Sequence, residues 1–401
     1  MAIPLLHTVT DWWLRHDLYD PCCVFTNPAI FIESYAIRGG LARARLPAAD
    51  PGTGGTISAV SPGRPRADGL AEDALVRRDI KTDDERERLL AGAYAFCERV
   101  VAHQGVQGPP EALMMGYGLN VRDGMVCHAC VADQASVAEA ALETVALMPD
   151  HPRATVWRGA IERWADWVLA NFAKENGAVG VGIFSHQWKP IPEYWCATSL
   201  TAGVLFPLAR LTGEARYAEA GLRSLEWLGR FDYTRVEIPT FTNCAPEVIL
   251  YTCEGMVAGL QHLIETQGGE AARKHPVARQ FTAMAQWLAD NQDADGRWPE
   301  PPERGYRDYS CGIPWLLLRM NALIGPNPAW QTCAARFLDG LTTPDGERYY
   351  GLYVRPFTTG LAWLSACEAV EAHFGHRTTM RATAGLPSHQ THGRRVPGNA
   401  P

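Results

Sequence analysis

Four carboxylates lie at or near the starts of strongly apolar segments, where an acid and a base could act together. They are Asp133, Glu193, Glu247 and Asp308. Apolar surroundings raise the pKa of a carboxyl group, so that it can donate a proton near neutral pH, whereas a more solvated carboxylate stays ionised and serves as base or nucleophile. The pattern therefore favours general acid–base chemistry, with these four residues as the catalytic candidates.

Aromatic side chains surround one of these carboxylates, Glu193. The flanking residues are His186, Trp188, Tyr194 and Trp195. Aromatic faces stack on the C–H bonds of a sugar ring, so this stretch is typical of a carbohydrate subsite. The alternative is that the rings only fill the rim of a helical barrel, and the sequence leaves both interpretations open.

Asp133 follows a short stretch that contains His128 between Cys127 and Cys130. Asp is favoured at helix N-caps, so a capping role is the structural alternative for Asp133. His128 between two thiols has the residue type of a metal ligand or a substrate contact, but a single Cys-His-x-Cys is also compatible with a loop histidine. We predict no metal and no cofactor.

Two arginines and three tyrosines precede the last two apolar segments and are candidates for binding substrate. They are Arg307, Tyr309, Tyr349, Tyr353 and Arg355. A guanidinium group can hold a substrate carboxylate or phosphate through two parallel hydrogen bonds. The alternative is that both arginines are solvated loop residues.

Cysteines recur at matching places, at the starts of three apolar segments: Cys196, Cys244 and Cys311. A helix N-terminus lowers the pKa of a thiol, so these residues and Cys127 are candidates for a nucleophile or a zinc ligand. Cysteine is also a small apolar residue that suits a crowded helical interior, and this alternative stays open.

The elements that must position these residues are helical hairpins, and residues 196–232 show their plan. The first half is apolar on every face, which indicates a buried helix, and after Thr212 and Gly213 the second half is amphipathic. Buried helices are predicted to start near residues 28, 131, 196, 246, 312 and 358, and surface helices near 83, 152, 214, 276 and 329, with a further one at 8–18. We predict an all-α fold, an (α/α)6 toroid of six inner and six outer helices.

Loop lengths in this predicted toroid are unequal. Outer-to-inner connections are long, at 104–130, 173–195, 232–245, 292–311 and 342–357, whereas inner-to-outer connections are short. Long loops concentrate where sites are built, so the long-loop face should carry the site. We expect one domain over residues 1–376 with a flexible loop at 47–80, followed by a disordered tail at 377–401.

Composition limits the classes of partner. The net charge is −7 and no basic run is interleaved with aromatics, which argues against nucleic acid. No apolar stretch reaches the roughly 20 residues of a membrane span, and the N-terminus lacks a secretory pattern. Eleven cysteines without a disulfide spacing suggest a reducing compartment. We expect a cytoplasmic protein with a small-molecule substrate and leave open whether it forms a homo-oligomer.

Three stretches carry a resemblance to known families. Gln292, Gly296 and Trp298 resemble the Gln-x3-Gly-x-Trp element of alpha/alpha toroids such as terpenoid cyclases, and residues 211–220 are similar to the hairpin turn of six-hairpin glycosidases and their lyase and epimerase relatives. Residues 123–128 resemble the Asp-Gly-x3-His stretch of unsaturated glucuronyl hydrolases. The acidic motif of terpenoid cyclases is absent. Trp298 joins the substrate-binding candidates.

The resemblance implies an enzyme that acts on a carbohydrate or glycoconjugate by hydrolysis, elimination or epimerisation, through paired carboxylates in the centre of the ring. The alternative is an isoprenoid or small-molecule cyclase, isomerase or dehydratase with thiols and acids in an aromatic cavity. A helical binding scaffold is the non-enzymatic alternative.

Overall fold

A computed structural model describes residues 26–45, 83–106, 109–113, 119–121, 125–184, 193–234, 245–294, 296–298 and 312–341. Within these ranges the chain forms eleven helices and three short strands. In chain order they are α1 (Thr26–Arg45), α2 (Asp83–His103), β1 (Leu119–Val121), β2 (Met125–Cys130), α3 (Val131–Leu147), α4 (Ala154–Asn171), β3 (Gly182–Phe184), α5 (Trp195–Thr212), α6 (Ala215–Leu228), α7 (Ala245–Gln267), α8 (Gly269–Lys274), α9 (Pro276–Asp290), α10 (Gly312–Leu323) and α11 (Pro328–Leu341).

Inner and outer helices alternate as the sequence predicts. The inner helix α5 is buried on every face over residues 195–208. Its partner α6 exposes Arg216, Glu219, Arg223 and Glu226 on one side and buries the opposite side. An all-apolar helix must be surrounded by protein, whereas an amphipathic one covers it from outside, so each hairpin has one core helix and one surface helix.

The turn between α5 and α6 is encoded locally. Gly213 follows the helix with a φ of 76°, a left-handed conformation that glycine adopts without steric cost, and its N–H bonds to the Ala209 carbonyl at 2.8 Å. The Thr212 hydroxyl accepts a hydrogen bond from the Glu214 N–H at 3.2 Å. These contacts end one helix and start the next within three residues.

Neighbouring inner helices contact one another in the order α1, α3, α5, α7 and α10. Outside them, α2 contacts α4, α6 contacts α9, and α9 contacts α11. The predicted sixth inner helix near residue 358 and the predicted outer helix at 8–18 lie outside the described residues. So do the loop at 47–80 and the tail at 377–401, and the single-domain assignment over 1–376 stays a prediction.

Inner helices approach one another to backbone contact. A Cβ atom on Gly255 of α7 would lie 1.8 Å from the Ser199 carbonyl oxygen of α5, so no larger residue fits there. The Ser199 hydroxyl accepts a hydrogen bond from the Gly255 N–H at 3.0 Å and donates to the Thr252 carbonyl. Small residues on the inner helices are therefore a packing requirement of the ring.

A small antiparallel sheet in the order β1-β2-β3 occupies two of the long connections, and the sequence analysis did not predict it. The register pairs Val121 with Met125 and Cys130 with Gly182. The strands are too short to show a clear period of two, although Asp123-Gly124 between β1 and β2 is a hairpin signal that could have revealed them. Because β2 runs directly into α3, the sheet fixes where that inner helix begins.

The Gln-x3-Gly-x-Trp element joins the loop after α9 to α11. Gln292 donates through Nε2 to the carbonyls of Gly296 at 3.1 Å and Cys333 at 2.9 Å, and Gly296 has a φ of 83°. Trp298 is 2% exposed and donates through Nε1 to the Leu288 carbonyl at 2.7 Å. Trp298 is a predicted substrate-binding residue, but its ring is buried between α9 and α11 and packs the fold.

Candidate functional site

The interior of the ring carries a stripe of polar residues on α3. Asp133, Ser136, Glu139 and Glu143 are spaced three, three and four residues apart, so they follow one side of the helix. Asp133 lies in the first turn, at the long-loop end of the inner helices, and the other three lie progressively deeper. The stripe therefore connects the predicted site face with the centre of the ring.

Arg38 of α1 lies opposite this stripe and contacts three carboxylates. Its Nη1 lies 3.2 Å from Glu139 Oε2 and 3.4 Å from Glu254 Oε1 of α7, and its Nε lies 3.1 Å from Glu143 Oε1. Arg45, two turns further along α1, lies 3.4 Å from Glu143 Oε2. One guanidinium group thus joins α1 to both α3 and α7.

Tyr35 completes this network. Its hydroxyl lies 3.4 Å from Ser136 Oγ and donates to Glu254 Oε2 at 3.4 Å. The guanidinium carbon of Arg38 lies 5.5 Å from the centre of the Trp315 ring of α10, within cation–π range. We call Tyr35, Arg38, Glu139, Glu143 and Glu254 the central cluster; it links α1, α3 and α7 and contacts α10.

The central cluster is enclosed. Arg38 and Glu254 are 3% and 2% exposed. Burial raises the pKa of Glu139 and Glu254 above the usual value for glutamate, and the charge of Arg38 opposes this rise. Among the described residues, the central cluster lies deeper along the inner helices than Asp133 does.

The central cluster lies outside the residues predicted from the sequence. Glu254 is a carboxylate on an otherwise apolar helix, where an unpaired buried charge is costly, but it is not among the predicted site residues. Arg38 and Glu139 were missed. The available signal was the same for all three, a charged residue on the buried face of an otherwise apolar helix.

Asp133 is the candidate that the structure places in the most unusual environment. Burial raises its pKa to about 7, and a contact with the Cys130 thiol opposes this rise. The residue keeps some exposure as a whole, but its Oδ2 atom is enclosed and has no hydrogen-bond partner among the described residues. The N-cap of α3 is Cys130, so Asp133 does not occupy the capping position that was its structural alternative.

Glu193 lies at the start of α5 on the same end of the inner helices. It is exposed and accepts a hydrogen bond from Asn176 Nδ2 at 2.7 Å, and its backbone pairs with Gly180. Tyr194 is half-buried, whereas Trp195 is buried and its Nε1 has no hydrogen-bond partner within the described ranges. Tyr194 and Trp195, the described aromatic neighbours, leave Glu193 exposed, whereas His186 and Trp188 lie outside the described ranges. The catalytic role of Glu193 stays a prediction.

Most of the remaining candidates fall where the structure gives no side-chain placement. The backbone alone is described for Cys127, His128 and Glu247, which lie on β2 and in the first turn of α7. The residues wholly outside the described ranges are His186, Trp188, Cys244, Arg307, Asp308, Tyr309, Cys311, Tyr349, Tyr353 and Arg355. The expectation that Glu193 and Asp308 share one cavity therefore stays a prediction.

Described thiols lie in the core. Cys196 is 6% exposed, and Cys97, Cys253 and Cys333 are buried with pKa values raised by desolvation. A raised pKa keeps these three thiols protonated and poorly nucleophilic. In the part of the chain that the structure describes, no three His, Cys, Asp or Glu side chains are grouped to hold a metal ion, and no helix is long and apolar enough to cross a bilayer.

No family model matches the chain, and no curated protein matches it. Its structure is similar to that of a possible member of the GH105 family from Klebsiella pneumoniae subsp. pneumoniae, with a TM-score of 0.51 and 13% identity over 85% of this chain and 82% of that one. A possible GH105 member from Salmonella enterica serovar Paratyphi A gives a TM-score of 0.47 and 13% identity over 70% of this chain and 94% of that one.

A polysaccharide lyase gives a TM-score of 0.42 and 13% identity over 62% of this chain, which spans only 34% of the lyase. The likeness to the Klebsiella structure, at 13% identity, concerns the fold alone. Together with the alternating inner and outer helices, it confirms the predicted all-α toroid.

Proposed function

We propose that the protein is an enzyme that acts on a carbohydrate or glycoconjugate, with Asp133 as its general acid. The observation that carries this proposal is the Asp133 carboxyl group, whose pKa is raised to about 7 and whose Oδ2 has no hydrogen-bond partner in the described part of the chain. A carboxyl group that stays protonated near neutral pH can give its proton to a departing sugar oxygen.

The position of Asp133 supports this role. It lies in the first turn of α3, at the end from which the predicted long connections enter the inner helices, and the central cluster lies deeper in the ring. A sugar held at this end would meet Asp133 before it reached the central cluster. The fold and the resemblance to six-hairpin glycosidases and lyases point to the same substrate class.

Acid–base catalysis needs a second carboxylate, and Glu247 of α7 is our choice. It lies in the first turn of the next-but-one inner helix, so both residues start inner helices at the same end of the ring. Asp308 and Glu193 are the other candidates. Whether the second group activates water, serves as nucleophile or removes a proton decides between hydrolysis and elimination or epimerisation.

The test is turnover of a panel of saturated and unsaturated uronide and neutral oligosaccharides by wild type and by Asp133→Asn. We expect Asp133→Asn to fold normally and to lose kcat/KM by about 100-fold or more on any substrate that the wild type accepts. Asp150→Asn, an exposed residue on the short connection between α3 and α4, is the matched control and should keep full activity.

The pH profile gives a second readout. A group that must be protonated is lost as pH rises through its pKa, so wild-type kcat/KM should fall as pH rises through about 7. Full activity in Asp133→Asn would reject Asp133 as the acid. Loss of activity on replacing Cys196, with Asp133→Asn active, would instead favour the cyclase or isomerase alternative.

A further inference from the structure

Two carboxylates from different helices converge on a single nitrogen atom in the centre of the ring. Glu139 Oε2 of α3 and Glu254 Oε1 of α7 lie 3.2 Å and 3.4 Å from Arg38 Nη1. The Nε of the same guanidinium is 3.1 Å from Glu143 Oε1. A single positive charge therefore contacts three carboxylates in an enclosed interior.

Among the described residues, the other charged groups around the central cluster balance this excess of negative charge only in part. Arg45 of α1 contacts Glu143, which leaves Arg38 to serve both Glu139 and Glu254. Arg319 of α10 acts on Glu139 more weakly than Arg38 does. The thiols that face the cluster are Cys196 of α5, near Tyr35, and Cys253 of α7, near Glu254. An unbalanced buried charge is expensive, so two ionised carboxylates on one guanidinium group are unfavourable.

The protein offers more hydrogen-bond donors to Glu254 than to Glu139. Glu254 has a hydrogen bond from Arg38 on one oxygen and from Tyr35 on the other. Glu139 has the Arg38 contact on Oε2, whereas its Oε1 lies against Gly203 of α5, where an added Cβ would be 3.3 Å away. An ionised group is stabilised by donors, so Glu254 is the better carboxylate and Glu139 the better acid.

We propose that Glu139 and Glu254 hold one proton between them at neutral pH, mainly on Glu139, and that this buried proton fastens α1 to α3 and α7. The proton comes from solvent when the chain folds, and no other reactant is needed. With the proton in place, the remaining negative charge is matched by Arg38. Without it, a second buried charge weakens the contact between the three helices.

The consequence for stability follows from proton linkage. Both carboxyl groups have raised pKa values in the folded protein, so between the ordinary glutamate value and the folded value of about 8 for Glu139, the folded state binds a proton that the unfolded state lacks. The contribution is fully present below that range and is lost as pH rises through it. One such proton changes the unfolding equilibrium constant by up to about tenfold per pH unit.

The experiment compares urea unfolding of wild type, Glu139→Gln and Glu162→Gln from pH 5 to 8. An amide imitates a protonated carboxyl group, so Glu139→Gln should gain stability relative to wild type as pH rises, by up to about tenfold in the unfolding constant per pH unit. Glu162 of α4, which is partly exposed and pairs with Arg158 at 2.8 Å, is the matched control and should keep the wild-type slope.

Subtracting the pH slope of Glu139→Gln from that of wild type cancels the contribution of titrating groups that both proteins contain. Asp133 has a raised pKa and gives a slope of the same sign, whereas His151, His262 and His275 have lowered pKa values and give the opposite slope. Because all four are present in wild type and variant, only Glu139 and its partner contribute to the comparison. A wild-type slope in Glu139→Gln would overturn the proposal.

Infrared spectroscopy provides a second readout, taken on variants that circular dichroism shows to be folded. Wild type at pH 6 should show a protonated-carboxyl band that weakens in Glu139→Gln and also in Glu254→Gln, because removing either acid leaves the other alone with Arg38. An unchanged band in both variants, or no such band in wild type at pH 6, would refute the shared proton. Neither measurement uses a substrate, so the result is independent of the proposed activity.

Discussion

Replacing Arg38 by methionine should destabilise the protein by about 3–4 kcal/mol at pH 7. The variant keeps an apolar stem but removes the charge that Glu139, Glu143 and Glu254 contact. A carboxylate left unpaired in the interior can become neutral by taking up a proton. That protonation costs about 1.4 kcal/mol for each unit by which the pH exceeds the ordinary pKa of glutamate. The predicted loss of unfolding free energy lies within the range of about 3–5 kcal/mol for breaking a buried ion pair.

The same reasoning predicts a pH dependence. At pH 5 the carboxyl group is close to its ordinary pKa, so protonation costs only about 1 kcal/mol and Arg38→Met should be nearly as stable as wild type. Urea unfolding followed by tryptophan fluorescence measures both values. Arg158→Met, which removes the partly exposed pair with Glu162 at 2.8 Å, is the control and should cost less than about 1 kcal/mol. A loss below about 1 kcal/mol at pH 7, or equal losses at both pH values, would refute the role assigned to Arg38.

Two further substitutions test packing and the thiols. Gly255→Ala should destabilise the protein by about 3 kcal/mol or more in the same urea assay, because its Cβ would meet the backbone of α5 at 1.8 Å. Gly159→Ala in α4 is the control: the nearest atom belongs to an arginine side chain at 3.6 Å, so this variant should be as stable as wild type or more stable. Cys196→Ala should cost about 1–3 kcal/mol as a buried residue while activity per folded molecule stays within a few-fold of wild type; a folded but inactive variant would contradict the packing role.

Local sequence was sufficient for the helices because each one is encoded within its own length. The apolar run of α5, the left-handed Gly213 and the amphipathic pattern of α6 all lie within a few turns of one another. Predicted starts near 131, 196, 246 and 312 correspond to observed starts at 131, 195, 245 and 312. The short strands β1 to β3 were missed because three to six residues are too few for a reliable alternation of side chains.

The site could be predicted only in part. The place of Asp133 at the start of an apolar segment makes it a candidate, and burial raises its pKa to about 7; its catalytic role stays a prediction. Trp298 was selected from a motif and proved to be a packing residue, since a motif gives a residue's type and spacing but not the neighbours that enclose it.

Only the tertiary structure could reveal the central cluster. Arg38 and Glu254 are 216 positions apart in the chain, and each taken alone is a costly charge on an apolar helix. Helical periodicity fixes which way each residue faces, but it carries no information about which helix lies opposite. When the ring forms, Arg38 of α1 comes to face Glu139 of α3 and Glu254 of α7, and its guanidinium lies within 3.4 Å of both carboxylates.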